Sequence, residues 1–80
     1  MMFDVIISET ARNQIEILSS EKRRRVLDAL ERARIRPEKY SEKIVGFLGF
    51  KMRVGEFRLI LDIHQGNIFV LSMRKKKDMF

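Results

Sequence analysis

Hydrophobic residues change their spacing along this chain, and the changes mark its elements. Phe3 to Ser8 is a short run rich in β-branched residues, with Phe3, Val5, Ile6 and Ile7, and it predicts a strand. Ser8 is placed to cap a following helix, with Ile7 able to staple onto its first turn. Ala11, Ile15 and Leu18 then recur at helical spacing, with Arg12 and Glu16 on another face. Ser19-Ser20 interrupts that helix and offers a new N-cap, with Glu21 favourable in the next first turn. A second helix is predicted from about Glu21 to Ile35, with the apolar stripe Val26, Leu27, Leu30 and Ala33. Arg36-Pro37 ends it, because the residue before proline avoids helical geometry.

Pro37 to Lys43 reads as a polar connection. After Ile44 the period shortens to two. Phe47, Leu48, Phe50, Met52 and Val54 predict a strand that places Lys51 and Arg53 on one face and Phe50, Met52 and Val54 on the other. Val54-Gly55 reads as a turn. Phe57, Leu59, Leu61 and Ile63 then alternate with Arg58, Ile60, Asp62 and His64. Gln65-Gly66-Asn67 is a second turn, and Ile68 to Met73 is the most apolar strand, expected to be central. The fold expected is α+β: an N-terminal strand, a two-helix hairpin and a three-stranded antiparallel meander. These would form a curled antiparallel sheet with helices on one face and the other face solvated.

Composition narrows the chemistry. Eighty residues suffice for one domain, 1–80, with a thin core. There is no cysteine, which removes thiol catalysis, disulfides and cysteine-based metal sites. With one histidine, a zinc site would need several carboxylates around one imidazole, so no metal or cofactor is expected. No apolar run is long enough to span a membrane. Asp4 in MMFDVIISET argues against a signal peptide, so a cytoplasmic location is expected. The 17 basic and 11 acidic residues leave a net charge of +6. Residues 1–40 hold nine basic and seven acidic side chains, and residues 41–80 hold eight and four. The surplus therefore lies mainly in the second half, and it suits nucleic acid or another phosphate-rich partner.

Lys51, Arg53, Arg58, Arg74, Lys75, Lys76 and Lys77 form the candidate constellation. Arginine's planar fork binds phosphate bidentately, and lysine supplies a mobile point charge. Such residues can equally be a solubilising face. Lys22, Arg23, Arg24 and Arg25 form a second basic run, against the helix dipole at the start of the second helix, and Arg23 and Arg24 are candidate nucleic-acid contacts. RNA cleavage needs a base for the 2′-hydroxyl, positive charge on the phosphorane and a proton for the leaving oxygen. No carboxylate pair or two-histidine arrangement is evident, so a lysine would have to act as base. His64, beside a hairpin turn, reads as a packing or surface histidine. The five methionines need no cofactor explanation.

The stretch from Phe50 to Leu61, FKMRVGEFRLIL, resembles the middle segment of RelE/ParE-type toxins of toxin–antitoxin pairs. These carry an aromatic, a basic strand, a glycine turn, then aromatic-arginine-apolar-apolar. Ile68 to Phe80 resembles the family's last strand and its basic, apolar, tyrosine-ended closure. The resemblance implies a small toxin bound by an antitoxin protein. In the RelE branch the toxin enters the ribosomal A site and cleaves mRNA. It is a metal-independent endoribonuclease working through 2′-hydroxyl attack. Carried over, Lys51 resembles the basic residue at the attacking hydroxyl, and Arg58 the arginine on the scissile phosphate. Lys76 stands where an arginine often stabilises phosphate or protonates the leaving group. Phe80 stands where active members often have a tyrosine that stacks on the base. Phe80 has no hydroxyl, Gly49 replaces a further lysine, Lys75 a common histidine and Arg74 a common glycine. The resemblance also leaves open a ParE-like gyrase inhibitor and a catalytically weak RNA- or protein-binding module.

Overall fold

The computed structural model describes residues 2–44 and 49–76. Among them the order is β1 (Asp4–Ile7), α1 (Glu9–Glu16), α2 (Ser20–Ala33), α3 (Pro37–Tyr40), β2 (Ser41–Lys43), β3 (Phe50–Val54), β4 (Phe57–His64) and β5 (Asn67–Lys75). The caps form where serine allows them. Ser8 caps α1 by accepting from the Ala11 N–H at 3.0 Å, and Ser19 caps α2 by accepting from the Lys22 N–H at 3.3 Å. Between the helices, the Arg23 guanidinium donates to the carbonyls of Glu16 and Leu18, both at 3.1 Å. It thereby satisfies the Glu16 carbonyl at the end of α1 and the Leu18 carbonyl just beyond it.

The expected three-stranded curled meander is not what the chain forms. The sheet is open and mixed, with five strands in the order β1-β5-β4-β3-β2. Three differences account for this. Pro37 is buried at the start of a short helix, α3, where its missing N–H costs nothing. The segment read as a polar connection then supplies β2, which pairs with β3 in the register Ser41–Met52, Glu42–Lys51 and Lys43–Phe50. Finally β1 lies parallel to β5, from Asp4–Asn67 to Ile7–Val70, so the sheet is not wholly antiparallel. A parallel pair needs a long crossover, and α1 through β4 provide it. β4 is the middle strand, with β5 beside it.

The β3–β4 and β4–β5 hairpins each turn on two residues. Gly55 has φ +58, the positive φ that primed hairpin turns require at their first central position. Gln65 and Gly66 have φ +45 and +78, the pair of positive values of a type I′ turn. One face of the sheet carries Met52, Phe57, Leu59, Leu61, Ile68, Val70 and Met73. These pack with Ala11 and Ile15 of α1 and Val26, Leu30 and Ala33 of α2. The long helices thus cover that face alone. Leu27, expected in the α2 stripe, is 40% exposed. No helix among the described residues is long and apolar enough to cross a membrane.

Candidate nucleic-acid interface

Strand alternation gives the sheet's second face to the residues between the core positions. Cross-strand register then decides which of them meet. Arg53 of β3 lies opposite Arg58 of β4, and Arg58 lies opposite Arg74 of β5. Three arginines therefore form one row across three adjacent strands, with backbones spaced ~5 Å apart. The next row on this face holds Glu42, Lys51, Ile60 and Ser72. Lys51 lies two residues before Arg53 on the same strand, so it borders the arginine row.

Like charges directly opposite one another destabilise a sheet. Among the described residues the ion pairs are Lys22–Glu56, Arg25–Glu21 and Arg34–Glu31, none of them involving the row. Arg58 in the middle is only 7% exposed. Its Nη1 donates to the carbonyls of Gly55 at 3.1 Å and Phe57 at 2.9 Å. Both bonds use one nitrogen, which leaves the rest of the fork without a hydrogen bond among the described residues. Among the described residues this buried positive charge meets only carbonyl dipoles. Such an arrangement receives an oxyanion well, because a bidentate anion would complete the fork.

The other candidates fall elsewhere. Lys75 lies opposite Phe57, on the helix-bearing side, and borders an open groove of about 590 Å³ lined by Gln14, Ile17, Leu18, Phe57, Met73 and Arg74. Lys76 follows β5, where its N–H donates to the Glu56 carbonyl at 2.7 Å and its side chain is exposed. Arg23 is committed to the α1–α2 corner, and Arg24 is exposed on α2. The helices cover the opposite face, so neither joins the row. Lys77 and Phe80 lie outside the described residues. His64 is exposed beside its turn, opposite Asn67. No group of three or more His, Cys, Asp or Glu side chains able to hold a metal occurs among the described residues.

Two residues of this face were missed from sequence. Glu42 enters through β2, whose Ser-Glu-Lys sequence carries no strand signal. Ser72 is half-buried in Lys51's row, and a register shift in β5 hides its face from a simple two-residue count.

No family model and no curated protein matches the chain. Solved structures do. The toxin–antitoxin complex RelBE2 from Mycobacterium tuberculosis contains a chain that matches with a TM-score of 0.86 at 19% identity, covering 94% of this chain and 99% of that one. The archaeal RelE–RelB complex from Pyrococcus horikoshii gives 0.80 at 20% identity, over 99% of this chain and 100% of that one. A free-state mutant of the Escherichia coli toxin RelE gives 0.77 at 22% identity, over 98% and 87%. With nearly end-to-end superposition at such low identity, the finding is one of architecture: the chain has the RelE/ParE toxin fold.

Proposed function

We propose that this chain is the toxin of a toxin–antitoxin pair and cleaves mRNA on the ribosome. The observation that carries the reading is the Arg53–Arg58–Arg74 row, a concentrated positive charge on the helix-free face with no acid paired to it among the described residues. The matching Mycobacterium tuberculosis and Pyrococcus horikoshii structures are toxin–antitoxin complexes, which supports an antitoxin partner here. In the proposed reaction Arg58 grips the scissile phosphate through the free side of its fork. Arg53 and Arg74 flank it and stabilise the charge that builds as the phosphorane forms. Lys51, bordering the row and acting as its neutral amine, takes the proton from the attacking 2′-hydroxyl and becomes the ammonium. The oxygen–phosphorus bond to the next nucleotide breaks as the 2′-oxygen bonds to phosphorus, and a proton from Lys76 reaches the leaving 5′-oxygen. Phe80 stacks on a base and Lys77 adds phosphate attraction, while Lys75, on the helix-bearing side, attracts the RNA backbone only from outside the row. No metal or organic cofactor takes part.

The test is purified protein added to programmed ribosomes, with mRNA ends mapped by primer extension. Cleavage within the A-site codon that falls by at least 100-fold in Arg58→Ala is expected, the scale of one lost oxyanion donor. Intact mRNA together with inhibited gyrase supercoiling would replace this reading with a ParE-like one. RNA binding without cleavage would favour a weak binding module, for which the missing hydroxyl at Phe80 is the motive.

A further inference from the structure

Arg74 reaches the arginine row through an irregularity. Ile68 and Val70 of β5 face the helices and are fully buried. An unbroken two-residue period would turn Ser72 and Arg74 to the helices as well, and Leu71 and Met73 away from them. The observed register differs. Leu61 lies opposite Val70, yet the next residue back, Ile60, lies opposite Ser72. Leu71 is the extra residue of a β-bulge, 40% exposed, and Met73 returns to the core at 6% exposed. The bulge thereby moves Ser72 and Arg74 onto the helix-free face and sets Arg74 opposite Arg58.

The bulge sits just beyond the point where β1 ends. Ile7 is the last residue of β1 paired to β5, opposite Val70. From there α1 and its cap take the place of a strand along the outer edge of β5. The Ser8 N–H donates to the Val70 carbonyl at 3.0 Å, and the Ser8 hydroxyl donates to the Leu71 carbonyl at 2.8 Å. Gln14 Oε1 accepts from the Met73 N–H at 2.7 Å. The Ser8 backbone N–H thus holds the chain before the extra residue, the Ser8 hydroxyl holds the extra residue's own carbonyl, and the Gln14 side chain holds the chain beyond it. The two side chains lie 63 and 59 residues away. Gln14 faces this edge although its neighbours on α1, Arg12, Asn13 and Glu16, are exposed.

We propose that Ser8 and Gln14 are positioning residues that lock the Leu71 bulge and so hold Arg74 in the phosphate-binding row. The link to phosphate rests on the function proposed above; the lock itself does not. The test compares Gln14→Met, which keeps the stem and removes the acceptor, with Gln14→Glu, which keeps an acceptor. Amide hydrogen exchange is read first. Gln14→Met is expected to speed exchange at Met73 and Lys76 by about fivefold, one hydrogen bond's worth. Ile68 and Val70 should stay protected, showing a folded sheet, and Gln14→Glu should restore Met73. Unchanged exchange at Met73 and Lys76 in Gln14→Met would overturn the lock.

Binding of a single-stranded RNA oligonucleotide across salt concentrations is read second. Gln14→Met should lower the salt slope by as much as Arg74→Thr, ~0.7 for one phosphate contact. The two changes together should lower it no further, because they remove the same contact. A full slope in Gln14→Met, or additive losses, would overturn the positioning role even with the exchange result in hand. Wild-type protein without salt-dependent RNA binding would sink the phosphate reading instead, and the exchange measurement would then decide the lock alone.

Discussion

Replacing Arg53 by threonine should stabilise the fold while weakening its grip on RNA. Arg53 stands opposite Arg58 in register, and Arg58 in turn faces Arg74. Two unit charges ~5 Å apart repel by ~0.8 kcal/mol in water-like surroundings, and measured cross-strand like-charge costs are ~0.2–1 kcal/mol. Arg53 is exposed, so screening keeps its share near the lower half of that range, about 0.5 kcal/mol. Threonine suits an exposed strand position, so no loss of strand propensity offsets the gain. For a domain of this size about 0.5 kcal/mol corresponds to a rise in Tm of ~2–4 °C. Urea titration at low ionic strength should show the gain as a higher midpoint at unchanged slope. At 1 M salt, where the screening length is ~3 Å, the gain should vanish. Destabilisation by Arg53→Thr, or a gain that persists at 1 M salt, would refute the claim that the row is held under like-charge strain.

Two further outcomes test the scaffold that carries the row. Leu59→Ala removes a fully buried side chain from the centre of β4 and should cost ~2–5 kcal/mol, read from the urea midpoint. Net stability for a chain this size is only ~4–12 kcal/mol, so part of the protein should be unfolded at 37 °C. Ser19→Ala removes the acceptor for the Lys22 N–H at the start of α2 and should cost ~1 kcal/mol, with the helical circular dichroism signal melting earlier.

The sequence was most legible where a local signal met a local cause. β4 spans Phe57–His64 as its alternation predicts, and Ser8 and Ser19 cap their helices as their sequence context predicts. The face shared by Lys51 and Arg53, and the opposite face of Met52, follow from strand periodicity alone. What escaped was set by pairing between distant segments. Ser41–Lys43 has no apolar alternation and becomes a strand only because the edge of β3 is there to receive it. The parallel pairing of β1 with β5 leaves no trace in either strand. The Leu71 bulge carries no local signal, and a period-two count without it assigns Arg74 to the wrong face. The arginine row was visible as composition, and only the register brought its three members together.

The most direct test of the account is the salt dependence of single-stranded RNA binding, wild type against a variant carrying Arg53→Thr, Arg58→Leu and Arg74→Thr. If the row holds phosphate, the slope of log affinity against log salt should fall in magnitude by ~2, three contacts at ~0.7 each. An unchanged slope in the folded variant would contradict the account, because the charge that binds RNA would then lie elsewhere on the chain.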